Sequence, residues 1–178
     1  MSSLNLKIVV AGSGGVGKTT LLRRYQSGMF VPASTTIGVN FVTQEISYEN
    51  RLIILSIWDY AGEERFKALF PGYCSGSTAG FAAFDLTRPE TLTDLSDWIS
   101  IIFEKNGESI PIILVGTKLD AVQADRLVLM KDRAIQFAKD HNLAGFYTVS
   151  SKSGEGVSEL FDSLANKIVE KLTQKIPL

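Results

Sequence analysis

Residues 12–19 read Gly12-Ser13-Gly14-Gly15-Val16-Gly17-Lys18-Thr19. The octet matches the phosphate-loop pattern G-x-x-x-x-G-K-[ST] without a mismatch. Upstream, Leu6-Lys7-Ile8-Val9-Val10-Ala11 is an apolar run that reads as a buried strand. Downstream, Thr19-Thr20-Leu21-Leu22-Arg23-Arg24-Tyr25 has helical spacing. Glycines weaken strands and helices through backbone entropy, but between the two they let N–H groups curl around an anion. The helix that follows adds a dipole favouring negative charge at its start. On this chemistry Lys18 reaches the β- and γ-phosphates and the Thr19 hydroxyl ligates Mg²⁺. Ser13, Gly14, Gly15, Val16, Gly17 and Thr20 complete the expected phosphate-binding set. A plain glycine-rich turn is the competing reading, and the strand–loop–helix context disfavours it.

Composition narrows the class. A chain of 178 residues is read as one domain with room for a substantial core. Its 45% hydrophobic and 21% charged residues are ordinary for a globular protein. A net charge of −1 gives no broad surface for nucleic acid or an anionic membrane. One cysteine, Cys74, and one histidine, His141, leave no internal disulfide, thiolate metal cluster or Cys–His nucleophile. Cys74 is expected to be a buried or half-buried thiol, and His141 a surface residue at a helix end. The expected compartment is a reducing cytoplasm. No apolar stretch approaches the roughly 20 residues that cross a bilayer. The N-terminus has no signal-peptide form, and Lys175-Ile176-Pro177-Leu178 at the other end carries no cysteine for a lipid anchor.

Strand and helix signals alternate along the chain, which argues for an α/β sandwich with a mainly parallel sheet. Strands are expected at residues 6–11, 39–47, 52–59, 79–86, 110–115 and 146–149. The link Tyr48-Glu49-Asn50-Arg51 makes the second and third a hairpin. Helices are expected after the phosphate loop, from Pro89 to about Lys105, over 128–140 and over 157–172. Residues 61–77 read as a mixed, mobile helix or loop.

Two further motifs carry chemistry. Trp58-Asp59-Tyr60-Ala61-Gly62 ends the third strand. An apolar run ending in Asp is where a phosphate-loop enzyme places its metal-side carboxylate, so Asp59 is expected to hold Mg²⁺ through water. Gly62 would bring a backbone N–H to the γ-phosphate. Thr117-Lys118-Leu119-Asp120 follows another buried strand. A carboxylate there accepts two N–H bonds from guanine, a donor pair adenine lacks. Asp120 is therefore the expected base selector, with Thr117 beside it and Lys118 over the base and against the phosphate loop. After the last strand, Ser150-Ser151-Lys152 offers a backbone N–H for guanine O6 and a lysine stem to cover the base. An ordinary helix-approach loop with Gly154 and Gly156 is the alternative there.

These elements in this order resemble a small GTPase of the Ras superfamily, over essentially the whole chain. Thr36-Ile37-Gly38-Val39-Asn40-Phe41 and Trp58-Asp59-Tyr60-Ala61-Gly62-Glu63-Glu64-Arg65-Phe66 are most similar to the Rab branch, and Thr117-Lys118-Leu119-Asp120 to the Rho branch. The resemblance implies a single G domain over 1–178, with a six-stranded mainly parallel sheet and five helices on its two faces. It implies binding of GTP/GDP with Mg²⁺ and slow GTP hydrolysis. It also implies a monomer whose switch segments, about 31–41 and 60–77, meet an exchange factor, an activating protein and effectors. It places Thr36 on Mg²⁺ and the γ-phosphate, and Phe30 against the guanine. Phe41, Trp58 and Tyr73 match an aromatic trio on the effector-facing surface.

The sequence also departs from the family pattern. Glu63 stands where the family's glutamine orients the attacking water, and a carboxylate cannot donate an amide hydrogen bond. The catalytic set is thus Lys18, Thr36, Gly62 and Glu63. The alternative is a GTP-binding interaction module with little hydrolysis. An ATP-using phosphotransferase is a poorer third reading, because Asp120 argues against adenine. Tyr60 replaces a common threonine and is expected to add bulk beside the metal. The first switch is one residue short and lacks an aromatic between Phe30 and Thr36, which weakens any lid over the phosphates. Arg65 is read as a solvated switch residue, and no arginine finger stands out.

Overall fold

A computed structural model of the chain describes residues 3–48 and 51–174. The β-run before the phosphate loop forms β1 (Ser3–Ala11), and the loop delivers α1 (Lys18–Ser27). Then come β2 (Val39–Tyr48) and β3 (Arg51–Tyr60). A 3₁₀ turn (Glu64–Leu69) leads into the short α2 (Phe70–Cys74). Next are β4 (Ala79–Asp85), α3 (Glu90–Thr93), α4 (Leu95–Asn106) and β5 (Ile112–Thr117). The chain closes with α5 (Ala124–Asp140), β6 (Gly145–Thr148) and α6 (Val157–Gln174).

The strands form one six-stranded sheet in the order β2-β3-β1-β4-β5-β6. Only the β2–β3 pair is antiparallel, in register from Val39 opposite Tyr60 to Tyr48 opposite Arg51. Glu49 and Asn50, read as the hairpin link, lie outside the described residues. The parallel strands are covered on both faces, as parallel sheets require. Alternation along β1 sorts its side chains between two cores. Leu6, Ile8 and Val10 pack with Leu21 and Leu22 of α1 and with Phe161, Leu164 and Ile168 of α6. Val9 and Ala11 pack with Trp98, Ile99 and Ile102 of α4 and Met130 and Ala134 of α5. Phe81 and Ala83 against Ala82 and Phe84 repeat the division in β4.

The two parallel neighbours of β1 lie on opposite sides, β3 and β4. Open α/β sheets bind ligands beyond the strand C-termini at such a divergence. The loop at 12–17 leaves β1 at that place. At its far end α1 stops on Gly28, whose φ of 68° is left-handed and whose N–H caps Arg24 O at 3.0 Å.

Several boundaries differ from the sequence reading. The helix expected from Pro89 to Lys105 is divided at Asp94, whose N–H is shared between the carbonyls of Glu90 and Leu92. The described residues therefore form six α-helices, one more than the five implied. α5 begins at Ala124, before the expected Val128, because its polar first turn carries no apolar period. Tyr60 is corrected outright. It is buried, and its hydroxyl donates to the Phe66 carbonyl while its ring packs against Phe70, Tyr73 and Trp98. It anchors the segment after β3 and adds no bulk to a metal site. Among the described residues no helix is long and apolar enough to cross a membrane.

Candidate functional site

An open cleft of about 390 Å³ lies over the loop at 12–17. Gly14, Gly15, Gly17, Lys18, Thr19 and Thr20 line one end, with Thr36, Gly62 and Glu63 facing them. Phe30, Thr117, Lys118, Asp120, Ser151 and Lys152 line the other. Residues 32–35 also line it, so the short first switch does flank the cleft despite its missing aromatic.

Sequence dictates the loop's shape at particular glycines. Gly15 and Gly17 have φ of 73° and 101°, left-handed values that glycine adopts without penalty. A Cβ on Gly62 would meet Gly12 O at 2.1 Å and Lys18 Nζ at 2.5 Å, so only glycine allows β3's exit to approach the loop. Lys18 Nζ donates to Gly12 O at 2.7 Å and Ser13 O at 3.0 Å. Burial pushes the Lys18 ammonium down to about 8, against the opposing pull of Asp59. Phosphate oxygens would add full negative charge beside these carbonyl dipoles and favour the ammonium.

At the start of α1, Thr19 Oγ1 donates to Asp59 Oδ2 at 2.5 Å and lies 2.6 Å from Thr36 Oγ1. Asp59 Oδ1 is buried and accepts no hydrogen bond. Burial raises the Asp59 carboxyl, while the Thr19 hydroxyl and the Lys18 and Arg23 charges pull it down. An orphaned buried carboxylate oxygen beside two hydroxyls is a hard oxygen set, suited to Mg²⁺ that keeps some of its waters. Among the described residues no cluster of three or more His, Cys, Asp or Glu offers a different metal site.

At the other end, Ser150 is buried and its Oγ donates to Asp120 Oδ1 at 2.6 Å, which fixes that carboxylate. The Ser150 N–H donates to Glu155 O, so base contacts from this loop fall to Ser151 and Lys152. Thr117 does not reach out to a base: its hydroxyl donates to Val16 O at 2.5 Å, with Phe84 O 2.9 Å away. Lys118 has a left-handed φ of 59°, and its Nζ reaches Gly15 O at 2.9 Å and Asp85 Oδ2 at 2.7 Å. Val16 is buried in the core, and Ser13 Oγ turns to Asp94 at 3.1 Å, so neither side chain lines the cleft. Phe30 is partly exposed at its rim.

Glu63 faces Gly14, but its carboxylate is paired with Arg65 Nε at 2.7 Å. Outside the cleft, Phe41 packs edge-on to Trp58 at 4.4 Å between centroids, and Tyr73 lies 6.3 Å beyond. Phe41 is 61% exposed and Ile37 79%. Lys7 Nζ sits 3.8 Å over the Trp58 ring.

Sequence reasoning missed Asp85 and Arg88. Asp85 is fully buried and ends β4 as Asp59 approaches the end of β3, so the same apolar-run-then-Asp signal marks it. Arg88, three residues later, had no signal of its own.

Comparison with known proteins agrees with this geometry. A model of the Ras family matches residues 7–170. The GTP-binding protein ypt5 of Schizosaccharomyces pombe is 36% identical over 176 residues, covering 97% of this chain and 82% of that protein. Human Ras-related protein Rab-22A is 34% identical over 169 residues, covering 94% and 86%. YPT53, a GTP-binding protein of Saccharomyces cerevisiae, is 32% identical over 170 residues, covering 93% and 77%.

Proposed function

The chain belongs to the Ras family of small GTPases, on its Rab-like side, and we propose that it is a guanine-nucleotide switch whose unaided GTP hydrolysis is slow. One observation carries this reading. A single cleft runs from the Thr19–Thr36–Asp59 oxygen cluster to the Asp120 carboxylate, so one end suits metal-bound phosphates and the other a base with two N–H donors.

Lys18 and the loop N–H groups neutralise phosphate charge, and the Ser150-held Asp120 selects guanine. Thr19, Thr36 and Asp59 would hold Mg²⁺, which when bound neutralises charge on the phosphate oxygens. In hydrolysis a water oxygen bonds to the γ-phosphorus while the bond to the β–γ bridging oxygen breaks, leaving GDP and phosphate. The work is positioning and electrostatics, so the unaided rate is expected on the order of 10⁻⁴ s⁻¹. Thr36 and Gly62, one from each switch segment, contact the γ-phosphate end. Loss of that phosphate frees residues 31–41 and 60–77, and with them the face around Ile37, Phe41 and Tyr73 where regulators and effectors would bind.

A second reading is favoured by the Glu63–Arg65 pair. A side chain held on Arg65, with no amide hydrogen to donate, would leave the attacking water unoriented, so the chain would bind GTP and recruit partners with almost no turnover. Single-turnover phosphate release from GTP-loaded protein separates the two. Complete release within a day supports the slow switch, and Glu63→Gln should raise the rate at least about tenfold. Bound GTP that survives intact for many hours supports the module.

A further inference from the structure

The loop that curls around the expected phosphates has each of its carbonyls held by a named donor. Lys18 Nζ takes Gly12 O and Ser13 O, Arg88 Nη2 takes Gly14 O at 3.2 Å, and Lys118 Nζ takes Gly15 O. Thr117 Oγ1 takes Val16 O, and the Leu21 N–H takes Gly17 O at 2.9 Å. In a trans peptide the C=O and the following N–H point in opposite directions. Holding the Gly14 and Gly15 carbonyls back therefore turns the Gly15 and Val16 N–H groups the other way. With a glycine at 15, little else stops that peptide from flipping a carbonyl towards the anion.

The two cations share one base. Asp85 Oδ2 receives Arg88 Nε at 3.0 Å and Lys118 Nζ at 2.7 Å, while Oδ1 receives the Thr87 N–H and hydroxyl at 2.9 and 2.6 Å. Burial alone would raise this carboxyl, but the hydrogen bonds from Lys118, Thr87 and Arg88 hold it below the usual range. The backbone of Arg88 is pinned as well: its N–H donates to Asp85 O and its carbonyl accepts from Thr91 Oγ1. The guanidinium fork thus has one arm on a fixed carboxylate and one on the loop, a geometry that a lysine ammonium cannot copy.

We infer that Arg88 is a positioning residue for nucleotide binding: anchored on Asp85, its guanidinium clamps the Gly14 carbonyl and keeps the Gly15 N–H presented to phosphate. This rests on the reading that residues 12–19 hold the phosphates. Arg88 touches loop carbonyl and not nucleotide, so it acts on affinity and not as an arginine finger.

The test is release of a fluorescent GDP from the full chain with Mg²⁺ present, together with competition by GDP and by GMP. Arg88→Gln should release GDP about tenfold faster, with Arg88→Lys between it and the wild type. GMP lacks the second phosphate and should lose much less affinity than GDP in Arg88→Gln. Release within twofold of wild type for both variants overturns the inference. So does an equal loss for GDP and GMP, which marks general loosening of the fold. Should Arg88→Gln not fold, faster release from Arg88→Lys supports the clamp and an unchanged rate refutes it. A wild type that holds no guanine nucleotide refutes the phosphate-loop reading itself, a different outcome from wild-type binding that ignores Arg88.

Discussion

At the residue scale, most of the site depends on a few carboxylates with unlike surroundings. Asp120 is exposed in the cleft and braced by Ser150. Asp120→Ala should weaken GDP binding by at least about a hundredfold, because guanine's two N–H donors would lose their charged acceptor. Ser150→Ala should cost less, since the carboxylate remains, and equilibrium titration with fluorescent GDP compares the two. Asp85 works through the fold. Its carboxyl lies below the ordinary range, so its contribution to stability is present above pH about 4 and fades as pH falls through the lower folded value. Asp85→Asn should lower the melting temperature at neutral pH and flatten its decline below about pH 4. A parallel decline in both proteins would contradict that assignment. The sequence made Asp59, Asp120, Lys18 and Thr19 legible because each sits at a fixed offset from an apolar strand or a glycine loop. Ser150 was legible by position but not by role. Arg88 was invisible, because a guanidinium placed across the chain leaves no periodic trace.

At the element scale, the instructive segment runs from β3 through the 3₁₀ turn into α2. Its sequence mixes Pro71, Gly72 and Gly76 with isolated aromatics, so no single period describes it. The order it does have comes from tertiary contacts. The Tyr60 hydroxyl donates forward to the Phe66 carbonyl, and Phe70 packs edge-on to Trp98 of α4 with 4.8 Å between ring centroids. Tyr60 was misread for that reason: its burial is decided by α2 and α4, not by its neighbours in sequence. At the start of the segment Gly62 touches the phosphate loop. A methyl there would collide with Gly12 O, so Gly62→Ala should push the segment away. Phosphate release should slow by about tenfold or more while GDP binding persists. Single-turnover assays beside GDP titration read both effects, and unchanged release would show that the close approach has no part in hydrolysis. The six strands, by contrast, were legible in number and order, because β4, β5 and the second half of β1 are apolar runs, the pattern of strands covered on both faces; β1 nonetheless starts earlier, at Ser3, and β5 runs later than expected, over Ile112–Thr117.

At the scale of the whole molecule, nucleotide binding and folding are one equilibrium. The cleft is lined by the loop after β1, α1, the segment that follows α1, the β3 exit, β5 and the loops after β5 and β6, so its ligand ties together elements that pack into both cores. Saturating GDP with Mg²⁺ should therefore raise the melting temperature by about 10 °C or more, whereas ATP should not. Chelating the metal should hasten GDP loss, since Asp59 Oδ1 would again be a buried acceptor without a partner. The measurement that bears most directly on the central claim takes two steps on one preparation. The purified chain is denatured and its nucleotide identified by chromatography, and a second portion is loaded with GTP and followed for phosphate. We expect close to one guanine nucleotide per chain, and loaded GTP that converts to GDP over hours. An absence of guanine nucleotide, with no uptake of GTP in the presence of Mg²⁺, would contradict the account at its root.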